Sequence, residues 1–196
     1  MAYFDALHCR KTLFSDDNYN LRMNFSSPPL DTQQFKQALS QFATGVTVIT
    51  TRQMGEPNPA DWGHQFVGLT ASSFNSVSLT PPLIVWSLGL KSRNVPSFQK
   101  ASHYVINVLS DSQQDVCEKF AYGQGNRFDS TGFELGACGL PILNQSLAWF
   151  ECRNRSQYPE GDHIIFVGEV ERCGFSAGSP LVYQQGGFTR LAKQSE

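Results

Sequence analysis

Several of the commonest routes to a catalytic or nucleotide site are missing from this chain. It has no His-Glu-x-x-His, no Gly-x-Ser-x-Gly and no Gly-x-x-x-x-Gly-Lys-Ser/Thr, which excludes a zinc-protease helix, a serine nucleophile elbow and a phosphate-cradling P-loop. Gly123-Gln124-Gly125 lacks the third glycine of a dinucleotide fingerprint and follows a helical stretch rather than a strand, so the Rossmann reading fails as well. The five cysteines, Cys9, Cys117, Cys138, Cys152 and Cys173, form no Cys-x-x-Cys pair and are odd in number. That argues against a metal site and a disulfide framework and fits free thiols in a reducing cytosol. Charge of one sign is also missing: 15 Lys+Arg stand against 17 Asp+Glu, which leaves no basic footprint for nucleic acid and no acidic tail. Asp5, His8, Arg10 and Lys11 interrupt the N-terminus, unlike a signal peptide, and no later stretch approaches the ~18 apolar residues of a membrane span. The expectation is a cytoplasmic protein with neither nucleic acid nor membrane as partner.

What is present is the material of one packed globule: 40% hydrophobic residues, 15 of them Phe, in 196 residues, enough for a single substantial core. Residues 1–30 show no periodicity and end in Ser26-Ser27-Pro28-Pro29, so they read as an arm before a domain over 31–196. Asp31 to Gln34 has the form of a capping box, and Phe35, Leu39 and Phe42 follow at helical spacing; this predicts an amphipathic helix ending near Gly45. Strands are expected at 46–51, 66–74, 83–88, 104–109, 147–153, 163–173 and 181–191, the last bent at Gly186-Gly187. Short helices are expected at 96–101 and 112–122, the second capped by Ser112 or Asp115. Residues 123–145 read as a long surface excursion, which in a compact domain is usually functional. About seven strands without a βαβ rhythm predict a mainly β, antiparallel barrel with a few peripheral helices.

Three clusters could carry chemistry. Thr70, Ala71, Ser72 and Ser73 lie in a small, hydroxyl-rich run from Gly68 to Ser78; small residues admit a ligand to the backbone, and hydroxyls and free N–H groups satisfy carbonyls or phosphate oxygens. Lys91-Ser92-Arg93 follows a buried strand, and Arg93 offers a bidentate fork for phosphate. Gly161-Asp162-His163 opens a strand, where an imidazole oriented by the neighbouring acid can bond a ligand or move a proton near neutral pH. By composition alone each has a plain counterpart: a Ser/Thr-rich strand end, a solvated loop and an exposed turn histidine. His8, His64 and His103 read as structural, and Trp86, Trp149 and Phe150 as core.

The order of the segments carries more than any one of them. Phe42-Ala43-Thr44-Gly45-Val46-Thr47-Val48-Ile49-Thr50, Gly68-Leu69-Thr70-Ala71-Ser72-Ser73-Phe74, Ser76-Val77-Ser78-Leu79-Thr80-Pro81-Pro82-Leu83, Tyr104-Val105-Ile106-Asn107-Val108-Leu109, Leu147-Ala148-Trp149-Phe150-Glu151-Cys152 and Gly161-Asp162-His163-Ile164-Ile165-Phe166-Val167-Gly168-Glu169-Val170 together resemble the short-chain flavin reductase domain over about residues 32–191. The resemblance implies an FMN-binding split barrel that pairs as a homodimer. It implies hydride transfer from NADH or NADPH to FMN or FAD, with the reduced flavin passed to a separate monooxygenase. It places Thr70, Ala71, Ser72 and Ser73 along the isoalloxazine and ribityl chain, Ser87, Lys91, Ser92 and Arg93 at the ribityl and phosphate end, and His163, in the catalytic position, on the nicotinamide side. Arg127-Phe128-Asp129 is similar to an Asp-Arg-Phe segment of relatives, but here the acid follows Phe128 and Asn126 holds its usual place. Two alternatives stand beside it: a flavin- or haem-binding split barrel without reductase turnover, and a sibling oxidase of a vitamin phosphate. The latter needs a second phosphate pocket, for which no basic cluster is evident in the sequence.

Overall fold

The structure, a computed structural model, describes residues 29–53 and 65–191. Along the chain lie α1 (Thr32–Leu39), β1 (Thr44–Gly45), β2 (Thr47–Arg52), β3 (Phe66–Ala71), β4 (Asn75–Leu79), β5 (Pro82–Gly89), α2 (Val95–Lys100), β6 (His103–Val108), α3 (Gln114–Tyr122), β7 (Phe133–Leu135), β8 (Pro141–Leu143), β9 (Ala148–Glu160), β10 (His163–Phe175), β11 (Val182–Gln184) and β12 (Gly187–Thr189). The main sheet is antiparallel with seven strands in the order β3-β2-β6-β9-β10-β5-β4. Its two edge strands, β3 and β4, are consecutive in the chain and joined by residues 72–74 alone. Such a link spans at most about 14 Å, whereas the edges of a flat seven-stranded sheet stand about 29 Å apart. The sheet must therefore curl until its edges meet. No ladder joins them; instead the Ser73 hydroxyl accepts from the Ser87 N–H at 3.0 Å and donates to the Ser87 carbonyl at 3.1 Å. The result is the mainly β, antiparallel, split barrel expected from the sequence.

Alternation fills the barrel and clads it. Ile84, Trp86 and Leu88 of β5 meet Ile164 and Phe166 of β10, with Ile49, Tyr104 and Ile106 from the facing strands, in one core. Trp86 stacks on Phe166 at 4.4 Å and 10°. The opposite face of β2 and β6 supplies Val46, Val48 and Val105 to a second core beneath Phe120 and Phe128. The fully buried Asn107 ties the layers, donating to Val48 O at 3.1 Å and accepting from Leu143 N at 2.8 Å. At Gly68 a Cβ would stand 2.5 Å from the Phe120 ring, so this glycine is what lets α3 lie directly on β3.

The structure departs from the sequence reading at several points. Asp31 does cap α1, accepting from Gln34 N at 2.7 Å, but the helix stops at Leu39. Phe35 and Leu39 of α1 and Phe42 just beyond it are 52%, 57% and 72% exposed among the described residues. Residues 75–79, which lie outside the expected strands, form edge strand β4 through its ladder with β5. The 123–145 excursion folds its second half into the β7–β8 hairpin. Strands β9 and β10 each run for 13 residues, past the polar stretch where period-two patterning ends, since each completes the other's hydrogen bonds. α3 begins at Gln113 without a side-chain cap, so neither Ser112 nor Asp115 does that work. The 181–191 strand is two short strands around Gln185-Gly186. Cys9, His8, His64 and most of the 1–30 arm lie outside the described residues.

Candidate functional site

Ser73, Ser87 and His163 adjoin along the seam, β5 and the β9–β10 turn, whereas Thr70, Ala71 and Ser72 line one cavity and Arg93 another. Antiparallel register sets His163 opposite Gly89 and Ile165 opposite Ser87. His163, Ile165, Ser87 and Gly89 therefore share the face of the sheet that points away from the inner core. The seam bond then brings Ser73 to Ser87. Because the Ser73 hydroxyl is committed to the Ser87 backbone in both directions, its first task is to close the barrel.

Thr70, Ala71 and Ser72 line a cavity of about 530 Å³ with Tyr122 of α3 and Tyr183 and Phe188 of the β11–β12 hairpin. The Thr70 hydroxyl donates to Cys117 O at 2.7 Å, which leaves its lone pairs for a donor on a ligand. Walls of aromatic carbon with hydroxyls and exposed backbone suit a flat, polar-edged ring, and the volume lies within the usual range for small-molecule sites.

The Lys91-Ser92-Arg93 run is divided by the fold. Ser92 shapes the turn: its N–H donates to Gly89 O at 2.9 Å and its hydroxyl accepts from Asn94 N at 3.3 Å. Arg93 lines a second cavity, about 320 Å³, together with Arg127, Asn94, Ser97, Asn126 and Gln53. Among the described residues, no Asp or Glu lines it. Burial, and then the charge of Arg93, push the Arg127 guanidinium below its ordinary range; this is the mark of like charges sharing a space that lacks a counter-ion. Lys91 instead acts on the β9–β10 turn, where its charge helps to hold the Asp162 carboxyl low.

In that turn Gly161 takes φ +57°, a left-handed conformation that glycine enters without steric cost. The next residue, Asp162, reaches His163: Nδ1 and Oδ1 are 2.6 Å apart. This bond is the main reason the Asp162 carboxyl sits below the usual carboxylate range, followed by the His163 charge. Leu90 N–H donates to Asp162 O at 2.9 Å, fastening the turn to the end of β5. The ring lies beside Gly89, where an added Cβ would meet Nε2 at an ordinary contact distance of 3.6 Å. His163 thus has one nitrogen fixed by an acid and the other presented outward.

Arg127 and Asn126 were undervalued in the sequence because the acid there stands after Phe128. In the structure the Asn126 amide donates to Asp129 Oδ1 at 2.7 Å, and its carbonyl oxygen accepts from Phe128 N at 3.1 Å. Asn126 and Asp129 thus complete one turn together, whichever comes first. Arg127 donates to Gly68 O at 3.0 Å and Phe120 O at 2.8 Å, which fastens the loop over β3. The Arg-Phe pair itself was the available signal.

The described cysteines, Cys117, Cys138, Cys152 and Cys173, are all free. Burial pushes the Cys117 thiol up and the Cys138 thiol up to about 12, so neither is a ready nucleophile. Among the described residues no group of three or more His, Cys, Asp or Glu could hold a metal ion, and no helix is long and apolar enough to cross a membrane.

Comparison with known proteins points the same way. The chain is 38% identical over 164 residues to the FMN reductase (NADH) SmoA of Agrobacterium fabrum, covering 84% of this chain and 88% of that protein. It is 35% identical over 164 residues to the reductase component of the flavin-dependent trigonelline monooxygenase of Acinetobacter baylyi, covering 83% of this chain and 50% of that protein. The chain thus spans about half the length of two of the curated relatives it matches. Among solved structures, the NADH:FAD oxidoreductase SgcE6 of Streptomyces globisporus in complex with NAD and FAD fragments superposes with a TM-score of 0.79 at 29% identity, over 89% of this chain and 100% of that one. With a split barrel, a ring-sized cavity on β3 and an acid-free arginine cavity beside it already in place, a family model spanning residues 39–192 completes the assignment: the chain belongs to the flavin reductase like domain family.

Proposed function

We propose that this chain is an NAD(P)H:flavin oxidoreductase that reduces FMN or FAD and supplies the product to a separate monooxygenase. The observation that carries this reading is the sequence of environments along β3: a cavity lined by hydroxyls, aromatic rings and Glu118 at Thr70–Ser72, and at Gly68 a cavity with two arginines and, among the described residues, no carboxylate. A flavin phosphate has a ring at one end and a dianion at the other, so the donor set fits it. The chemistry of hydride acceptance belongs to the flavin ring.

The chain's own residues bind and orient. Backbone N–H groups and hydroxyls at Thr70, Ala71 and Ser72 hold the ring edge, and Ser73 keeps that strand against Ser87. Arg93, with Ser92 shaping its turn, meets the phosphate by charge-assisted bonds, while Lys91 adds positive potential in the same turn. His163, with Nδ1 fixed by Asp162, offers Nε2 to the nicotinamide donor; holding the reacting atoms near ~3–3.5 Å is the step that such positioning accelerates. The working unit is the domain over 31–196 with 1–30 as an arm, in a cytoplasmic homodimer. The uncovered apolar face of α1, with Phe35, Leu39 and Phe42 exposed, suits a second copy, because monomers seldom leave such stripes open.

The test is NADH and NADPH oxidation by the purified full chain with and without added FMN or FAD. Turnover that depends on flavin is expected. Flavin binding without oxidation of either nicotinamide would leave a binding protein only.

A further inference from the structure

The two cavities along β3 differ in charge as well as in shape. Among the described residues, the cavity of about 530 Å³ at Thr70–Ser72 is lined by no Lys, Arg or His. Its single carboxylate is Glu118, four residues before Tyr122 on α3 and therefore on the same face of that helix. Gln114 Nε2 donates to Glu118 Oε1 at 2.9 Å, which holds the group along the helix without neutralising it, and no cation pairs with it among the described residues. The rest of the wall is hydroxyl, phenol, thiol and carbon. Burial, opposed by the Thr70 bond and reinforced by the Glu118 charge, pushes the Cys117 thiol up, so the field of this carboxylate is felt at the cavity wall.

An oxidised flavin ring is neutral. In the proposed reaction the nicotinamide C4–H bond breaks with its electron pair, an N–H bond forms at N5 of the ring and NAD(P)+ leaves, so the negative charge gained stays on the reduced ring, an anion near neutral pH. The phosphate at the far end is the same before and after, and its contact with Arg93 cancels when the two forms are compared. His163, the other ionisable group assigned to the ring, brings its own acid, Asp162, at 2.6 Å. A carboxylate without a counter-ion beside the ring opposes the anion and leaves the neutral form untouched. We infer that Glu118 makes this chain hold oxidised flavin more tightly than reduced flavin, and so drives release of the product for use elsewhere. The inference rests on the reading of the Thr70–Ser72 cavity as the seat of the flavin ring.

Anaerobic titrations of wild-type protein and Glu118→Gln with oxidised FMN and with dithionite-reduced FMN test this. The glutamine keeps the size of the side chain and an oxygen for Gln114. The ratio of the reduced to the oxidised Kd is expected to lie above one in the wild type and to fall about threefold in Glu118→Gln, the scale of an exposed and screened charge, with the oxidised Kd within about twofold. Salt raised to ~1 M should narrow the wild-type ratio and leave that of the variant alone. An unchanged ratio overturns the inference, and so do oxidised and reduced Kd values that shift together. Tyr122→Ala, at a position 80% exposed, reports separately on where the ring sits: weaker binding of oxidised riboflavin with an altered absorbance spectrum is expected. If riboflavin binds that variant as it binds the wild type, the ring is not in this cavity and the inference falls with that reading. If riboflavin binding changes while the Glu118→Gln ratio does not, the ring placement stands and only the role of Glu118 is lost.

Discussion

Two places beside the end of β5 handle positive charge in opposite ways. In the β9–β10 turn the one ring that can become a cation, His163, is matched by Asp162 at 2.6 Å and stands open to solvent. Around the β5–α2 turn the exposed Arg93 and the half-buried Arg127 line a cavity with no carboxylate among the described residues, and burial, then the charge of Arg93, depress the Arg127 guanidinium. A balanced pair suits transient contact and a movable proton. An unbalanced pair suits a standing anion that arrives with the ligand. The difference lies in whether the counter-charge belongs to the protein or to what it binds.

The strongest way to break the contrast is to disturb the strand behind the arginine cavity. Gly68→Ala would push a Cβ against Phe120, and overpacking of this kind costs about 1–3 kcal/mol. A fall in Tm of roughly 3–10 °C is expected, together with loss of FMN affinity, while the Asp162–His163 turn keeps its geometry; scanning fluorimetry and flavin titration measure both. Next in size is Arg93→Ala, expected to weaken FMN by about tenfold to thirtyfold through loss of a charge-assisted contact and to leave riboflavin nearly unchanged. Equal weakening of both would remove Arg93 from the phosphate. His163→Ala is expected to lower kcat/KM for NADH about tenfold with flavin affinity and Tm intact, because the ring is exposed and contributes little to packing. Stopped-flow reduction at wild-type rates would remove His163 from the nicotinamide side. The smallest effect is on pH dependence. The Asp162 carboxyl is depressed in the folded state, so its contribution to stability is present above the unfolded carboxylate value of about 3.9 and is lost as pH falls through the lower folded value. Asp162→Asn should therefore lower Tm slightly and by a constant amount above about pH 5, with the difference from wild type vanishing as pH falls through the folded value.

Much of this was legible in the sequence where the signal is local. The Asp31 cap, the alternating Ile84-Trp86-Leu88 set and the β5 and β10 strands are dictated by side-chain chemistry over a few residues, and the structure repeats them. Edge strand β4 was not legible, because Asn75-Ser76-Val77-Ser78-Leu79 has too few apolar residues to alternate and is held by its neighbour's ladder. The exposed face of α1 was not legible either, since amphipathic spacing states that a face should be covered and not by which chain.

The sequence by itself determined most of the elements, the fold class, the three candidate clusters and their order, because caps, alternation and turn glycines act between near neighbours. Only the tertiary structure decided how those clusters are shared out. It divided Lys91 from Arg93, spent the Ser73 hydroxyl on the seam, and recruited Arg127. Register and sheet curl bring such residues within reach of one another, and both are set by the packing of whole strands around Trp86 and Phe166 rather than by any residue's neighbours in sequence.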